Sequence, residues 1–218
     1  MKKSLSVLIL LLTSFNTMAS DSFISGVFIQ PVSRYFSMEI EDNNSDYVVE
    51  EQLITDIIEV VSGMIYGWKF VYVPSDIKRE IDEIFTLTPV ALIKKGDPNM
   101  KFKDNWVKDY IMYQNIVYNL QEFQMKRINS WHTTVTPRST GEGSASIHEV
   151  DGKSQSLKEA IKDSIKKEFQ SRGKDKPRSI EGQIILEENP RVFINTGSFI
   201  TQVEVLLFYR DINEYKYH

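Results

Sequence analysis

Cysteine is absent from the whole chain. That excludes disulfides, thiol nucleophiles, thiolate metal sites and the thiol-linked lipid of a bacterial lipoprotein. Histidine is scarce as well. His132, His148 and His218 stand 16 and 70 residues apart, whereas zinc ligands on one element fall within a few residues of one another. No serine sits in a G-x-S-x-G elbow. Gly141-Glu142-Gly143 has the first two glycines of a dinucleotide fingerprint but not the third, and the residues after Gly143 read as a strand, so no helix N-terminus faces a phosphate. Excess positive charge is missing too. The net charge of −4 argues against nucleic acid and against anionic membrane surfaces. The acids Glu50, Glu51, Asp56 and Glu59, and then Glu80, Asp82 and Glu83, fall where helix solvent faces are expected. By elimination there is no catalytic, cofactor-binding or metal-binding residue to nominate, and a non-enzyme is the better reading.

Residues 1–19 have a definite layout. Lys2 and Lys3 precede an apolar run from Leu5 to Leu12, and Thr13 to Ala19 is more polar. This is the order of a secretory signal peptide, and the run is too short for a stable transmembrane anchor, which takes roughly 20 residues. Thr17 and Ala19 place cleavage before Ser20. Losing two lysines moves the net charge from −4 to −6. The expectation is a periplasmic or secreted bacterial protein, with no later membrane span and no lipid anchor.

Beyond residue 19 the chain divides by composition, giving four regions in all: the signal peptide 1–19, an N-terminal α+β region 20–136, a linker-like loop 137–144 and a C-terminal α+β region 145–218. The two α+β regions share one domain or form two. In the first, Val49, Leu53, Ile57 and Val60 predict an amphipathic helix ending near Ser62, with Gly63 as its C-cap. Trp68, Phe70 and Tyr72 alternate as a strand does, and as an aromatic stripe they suit either a core or a sugar platform. Ser75 is placed to cap a second helix through Ile77, Ile81, Ile84 and Phe85. Pro89 to Ile93 reads as a short strand and 99–110 as a loop. The span 110–135 reads as one or two strands, although Gln121 to Arg127 also fits a helical turn, and it carries the amides Asn115, Asn119, Gln121 and Gln124; any chemistry overlooked by elimination belongs here, with His132 and Glu122. In the last region, Ser156 and Glu159 form a capping box ahead of Leu157, Ile161, Ile165 and Phe169, while Lys158, Lys162, Lys166 and Lys167 read as a solvated face. A strand comes next at 180–187, and Asn189-Pro190 and Gly197-Ser198 punctuate two further strands, in the last of which Val203, Val205 and Leu207 oppose Gln202, Glu204 and Leu206. The fold class is α+β, an antiparallel sheet with about three amphipathic helices packed on one face. Ile65-Tyr66-Gly67 and Ile180-Glu181-Gly182 each open a strand after a helix, which an internal duplication or chance would explain.

From Gly141-Glu142-Gly143-Ser144-Ala145 through the helix to Thr201-Gln202-Val203-Glu204-Val205, the outline resembles the small α+β modules of the LPP20 and flagellar-assembly envelope lipoproteins. The resemblance covers about residues 141–210, without a diagnostic motif and without the lipid-bearing cysteine. It implies a non-catalytic role in envelope assembly and no site residues. The function expected is binding or scaffolding of another envelope component, or self-association. A small-ligand carrier with an aromatic-lined pocket and a hydrolase whose carboxylates meet only in the fold are the alternatives.

Overall fold

The computed structural model describes residues 22–31, 45–132, 135–171 and 179–212. The signal-peptide reading and His218 lie outside them, as do the side chains of Val49 and Glu50. The chain folds as strand β1 (Phe23–Pro31), helix α1 (Ser45–Ile65), β2 (Trp68–Val73), β3 (Ile84–Pro89), β4 (Met100–Lys108), β5 (Ile111–Asn119), α2 (Glu122–Trp131), β6 (Arg138–Ser146), α3 (Gly152–Ser171), β7 (Ser179–Leu186), β8 (Arg191–Asn195) and β9 (Ser198–Ile212). All strand pairs are antiparallel. They form not one sheet but two, in the orders β1-β5-β4 and β3-β2-β7-β9-β6, with β8 also paired to β9. The α+β class stands, but the architecture is richer in strand than three helices laid on one sheet.

Helix α1 lies between the sheets. Its residues recur at helical spacing on two sides. Val60 and the half-buried Met64 pack with Trp68, Phe70, Ile184 and Val205 of the larger sheet. Leu53, Ile57, Val61 and Ile65 pack with Ile24, Ile116 and Tyr118 of the smaller one. Phe28 touches both clusters. The aromatic stripe is core: Trp68, Phe70 and Tyr72 are all buried. The helix runs past Gly63, which sits inside it against the Trp68 ring. The stop is Gly67, whose φ of 69° is left-handed and whose missing Cβ would stand 2.1 Å from the Ile184 carbonyl oxygen of β7. Glycine there serves both the turn and the close approach.

Helix α3 begins at Gly152, so Ser156 is not its cap. Ser156 is fully buried inside the helix, donating to the Lys153 carbonyl and sharing a 2.6 Å hydrogen bond with the Thr201 hydroxyl. The apolar row holds as expected, with Leu157, Ile161, Ile165 and Phe169 all buried. A second row, Ser156, Ala160 and Ser164, faces β6. Gly141 and Gly143 are strand residues there, not a linker, and a Cβ on either would meet helix backbone at 2.0–2.4 Å. Without side chains between them, helix and strand touch almost backbone to backbone.

Two other expectations change. The second helix is a single 3-10 turn, Ile77–Arg79, closed by Glu80 in the left-handed region, and Ile77 is 92% exposed. The apolar spacing there had mixed a turn with strand β3, which also ends rather than begins at Pro89. The segment expected to be a loop at 99–110 is strand β4. The third helix is instead α2, whose Trp131 packs with Ile185 and Leu206. Those two alternate with the helix-facing Ile184, Leu186, Val205 and Leu207, so α2 reaches the opposite face of the larger sheet. Since β2 pairs with β7, the regions before and after residue 137 share one core. The two Ile-x-Gly motifs are not equivalent in place: Gly67 precedes β2, whereas Gly182 lies within β7 opposite Phe70.

Candidate functional site

Two places on the molecule depart from what a simple core and surface require. The first is a cleft where α1, α3 and the end of β1 converge, lined among others by Phe28, Asp56, Glu59, Lys153, Asn189 and Val192. The Lys153 ammonium pairs with the Asp56 carboxylate, and these side chains are only 10% and 14% exposed. The same ammonium donates to the Ile29 carbonyl at 3.0 Å and to Gln30 Oε1. Burial pushes the Asp56 carboxyl above its usual range, against the pull of Lys153. Burial raises Glu59 too, opposed by a Ser154 hydrogen bond and the Lys158 charge. Asp56 and Glu59 are therefore not solvated helix acids. The cleft is narrow, with about 40 Å³ open to the centre of a water molecule, room for a few waters rather than an organic ligand.

The second place is the smaller sheet. Its outer face carries Phe23, Val27 and Ile29 from β1, Ile111, Tyr113 and Val117 from β5, and Trp106 from β4, set side by side by the register Ile29–Tyr113–Trp106. Phe23, Val27 and Trp106 are each nearly half exposed. Trp106 and Tyr113 are stacked with ring centroids 5.2 Å apart. β4 and β5 are joined by a two-residue turn, Asp109-Tyr110, with φ of 50° and 60°. Two left-handed residues are what a twisted hairpin's tight turn requires. A bulge between Phe102 and Asn105 interrupts the pairing, and the buried Gln114 amide donates to the Lys103 carbonyl beside it at 3.2 Å. Every residue of β4 after Met100 is exposed.

The amide-rich stretch resolves into structural roles. Gln124 is buried, donating to the Tyr66 and Tyr118 hydroxyls and accepting from the Gln121 backbone at the start of α2. Asn115 and Asn119 lie on β5 opposite Val27 and Phe23. Glu122 is exposed and paired with Lys126, while His132 is the exposed C-cap of α2, so the structure gives those two no shared site. His148 is exposed after β6. Glu83, expected on a helix, instead receives Lys162 and Lys166 of α3 at 2.8 and 2.7 Å. Burial alone would raise its pKa, but the two lysine hydrogen bonds outweigh it and hold the carboxyl at about 2. Lys162 and Lys166 are thus not simply solvated. No three His, Asp or Glu side chains among the described residues are arranged to hold a metal ion. No helix among those residues is long and apolar enough to cross a membrane.

A layered α+β protein with two antiparallel sheets around a central helix is the class this geometry defines. A family model matches residues 12–215, taking in every strand and helix described above, and the chain belongs to that uncharacterised family. It is similar to an uncharacterised protein of Treponema pallidum (strain Nichols), 26% identical over 157 residues, which cover 72% of this chain and 66% of that protein. The chain thus spans just under two thirds of that relative's length. No solved structure matches the chain.

Proposed function

We propose that the chain is an exported, non-catalytic protein of the bacterial cell envelope that binds or scaffolds another envelope component through the outer face of the β1-β5-β4 sheet. The observation that carries this is the row of exposed apolar side chains on that face, Phe23, Val27 and Trp106, set on three hydrogen-bonded strands of one sheet. Exposed apolar area of this kind is costly to keep without a partner. The charged, apolar and polar order of residues 1–19 supports export, and the outline of residues 141–210 supports kinship with non-catalytic envelope modules.

The test is co-sedimentation of the purified mature protein with native envelope fractions. Phe23→Asp with Val27→Asp abolishes association, while Phe208→Asp, on the larger sheet and 73% exposed, leaves it intact. Equal binding by all three proteins refutes the assignment of the face. Export is read separately, by mass spectrometry of the native protein: Ser20 is expected at or near the mature N-terminus, and an intact Met1 in the cytosolic fraction refutes it.

One observation favours a second reading. Asp56 and Glu59 are two acids with raised pKa values in one cleft, and raised carboxyls are the mark of general acids. Yet they lie three residues apart on one side of α1, each already engaged from α3, whereas glycosidic cleavage needs carboxyls flanking the scissile bond. Turnover of chromogenic ester, glycoside or phosphate substrates that Asp56→Asn or Glu59→Gln removes, with circular dichroism unchanged, would establish the hydrolase instead.

A further inference from the structure

We infer that the tip of the β4–β5 hairpin is a membrane-interface anchor that seats in the headgroup region of an anionic phospholipid bilayer. The inference rests on the envelope-binding reading and names the chemistry of one thing bound. A strand that docks on a protein partner needs one apolar face, because its side chains alternate. This hairpin offers two. Trp106, with Tyr113 and Ile111, lies on the outer face, while Phe102 and Val107, with Met112, lie on the inner one. Phe102 is 48% exposed, Val107 63% and Tyr110, in the turn itself, 72%. Apolar groups on both faces of a two-stranded tip suit a medium that surrounds it. Tryptophan and tyrosine are the side chains whose apolar bodies and polar edges match the headgroup layer.

Charge points the same way. Lys101, Lys103 and Lys108 are exposed on β4. Asp104 and Asp109 offset two of them, so residues 100–113 carry a net charge of +1 in a chain of net −4. The long lysine stems let ammonium groups reach lipid phosphates while the rings lie deeper. Shallow seating leaves β4, the edge strand of its sheet among the described residues, among headgroups and water, where its backbone groups can be paired. The acidic balance of the whole chain, which speaks against anionic surfaces, is not the balance of this hairpin.

Fluorescence isolates the hairpin, because the other two tryptophans, Trp68 and Trp131, are buried at 3% and 8% exposure. The mature protein is mixed with phosphatidylcholine vesicles, with or without phosphatidylglycerol. Expected on the mixed vesicles are a blue shift, quenching by brominated lipid and co-sedimentation that salt weakens. Trp106→Ser with Tyr110→Ser, or Lys101→Glu with Lys108→Glu, should reduce co-sedimentation about tenfold or more with an unchanged thermal melt. No binding to either vesicle, equal binding to both, or undiminished binding by both double variants overturns the anchor. In any of those cases, retained association with native envelope fractions leaves the envelope-binding reading standing, while loss of that association removes both.

Discussion

Replacing Lys153 by methionine tests the buried cleft, and the geometry sets both the size of the effect and its pH dependence. The substitution removes the counter-ion of Asp56 and the donor to Ile29 and Gln30. Breaking one side of a buried ion pair costs about 3–5 kcal/mol. Asp56 can escape that cost by binding a proton, which at pH 7 requires about 4 kcal/mol for a carboxyl of ordinary unfolded pKa. The electrostatic loss is therefore capped near that figure. The sign is fixed by linkage. With Lys153 gone, the folded Asp56 pKa rises further above its unfolded value, so the folded variant holds a proton the unfolded chain lacks. Relative to wild type, its deficit should shrink by up to about 1.4 kcal/mol for each pH unit below 7, until the wild-type carboxyl, itself raised by burial, takes up its own proton. Adding Asp56→Asn removes the stranded charge, restores most of the loss and abolishes the slope. Urea unfolding at several pH values reads all three quantities, provided the m-value stays constant. A deficit independent of pH, or a double variant as unstable as the two single losses added together, would refute the reasoning.

The Glu83 bridge behaves oppositely. Its folded pKa is depressed, so its contribution is present above the ordinary carboxyl range and is lost as pH falls toward 2. Glu83→Gln should cost roughly 1–2 kcal/mol at pH 7 after allowing for solvent screening, with the difference from wild type vanishing in acid melts. Gly143→Ala pushes a methyl carbon to within 2.2 Å of the Ala160 nitrogen; a loss of about 3 kcal/mol or more is expected in thermal melts, and a neutral result would show that α3 and β6 can separate. Ile161→Asp places a charge at a fully buried position and should cost about 3 kcal/mol or more. Lys162→Asp sets a second acid beside Glu83 and should cost more than the roughly half a kcal/mol typical of a solvated site, so denaturant melts of the two separate core from bridge.

What was legible in the sequence is what repeats locally. Trp68, Phe70 and Tyr72 alternate because one face of β2 is core. The row from Leu157 to Phe169 recurs every fourth residue because α3 lies on the sheet. The errors arise where the cause is distant or the pattern has two sources. Ile77, Ile81 and Ile84 fall at helical spacing by coincidence, since a 3-10 turn and a strand start meet there. β4 shows no alternation because neither of its faces is buried. Gly141 and Gly143 look like a linker until the small residues Ser156, Ala160 and Ser164 are set beside them; that stripe at spacing four was the signal available. The buried state of Asp56 had none, because its partner Lys153 lies 97 residues later and no local pattern links them.

The long strand β9 has a consequence for how the protein comes to be folded. It is the shared partner of β6, β7 and β8, and β2 must wait for β7, more than a hundred residues further along the chain. Loop closure over such separations makes folding slow. During synthesis the larger sheet cannot close, because β9, which joins β3-β2-β7 to β6 and β8, is the last of the described elements to emerge. A ribosome-bound nascent chain stopped at Gly197 would hold β6 and β8 without their pairing strand and α3 without Val203, Val205 and Leu207 of its core, leaving that half protease-sensitive, and the next fifteen residues would convert it to a resistant one in a single step.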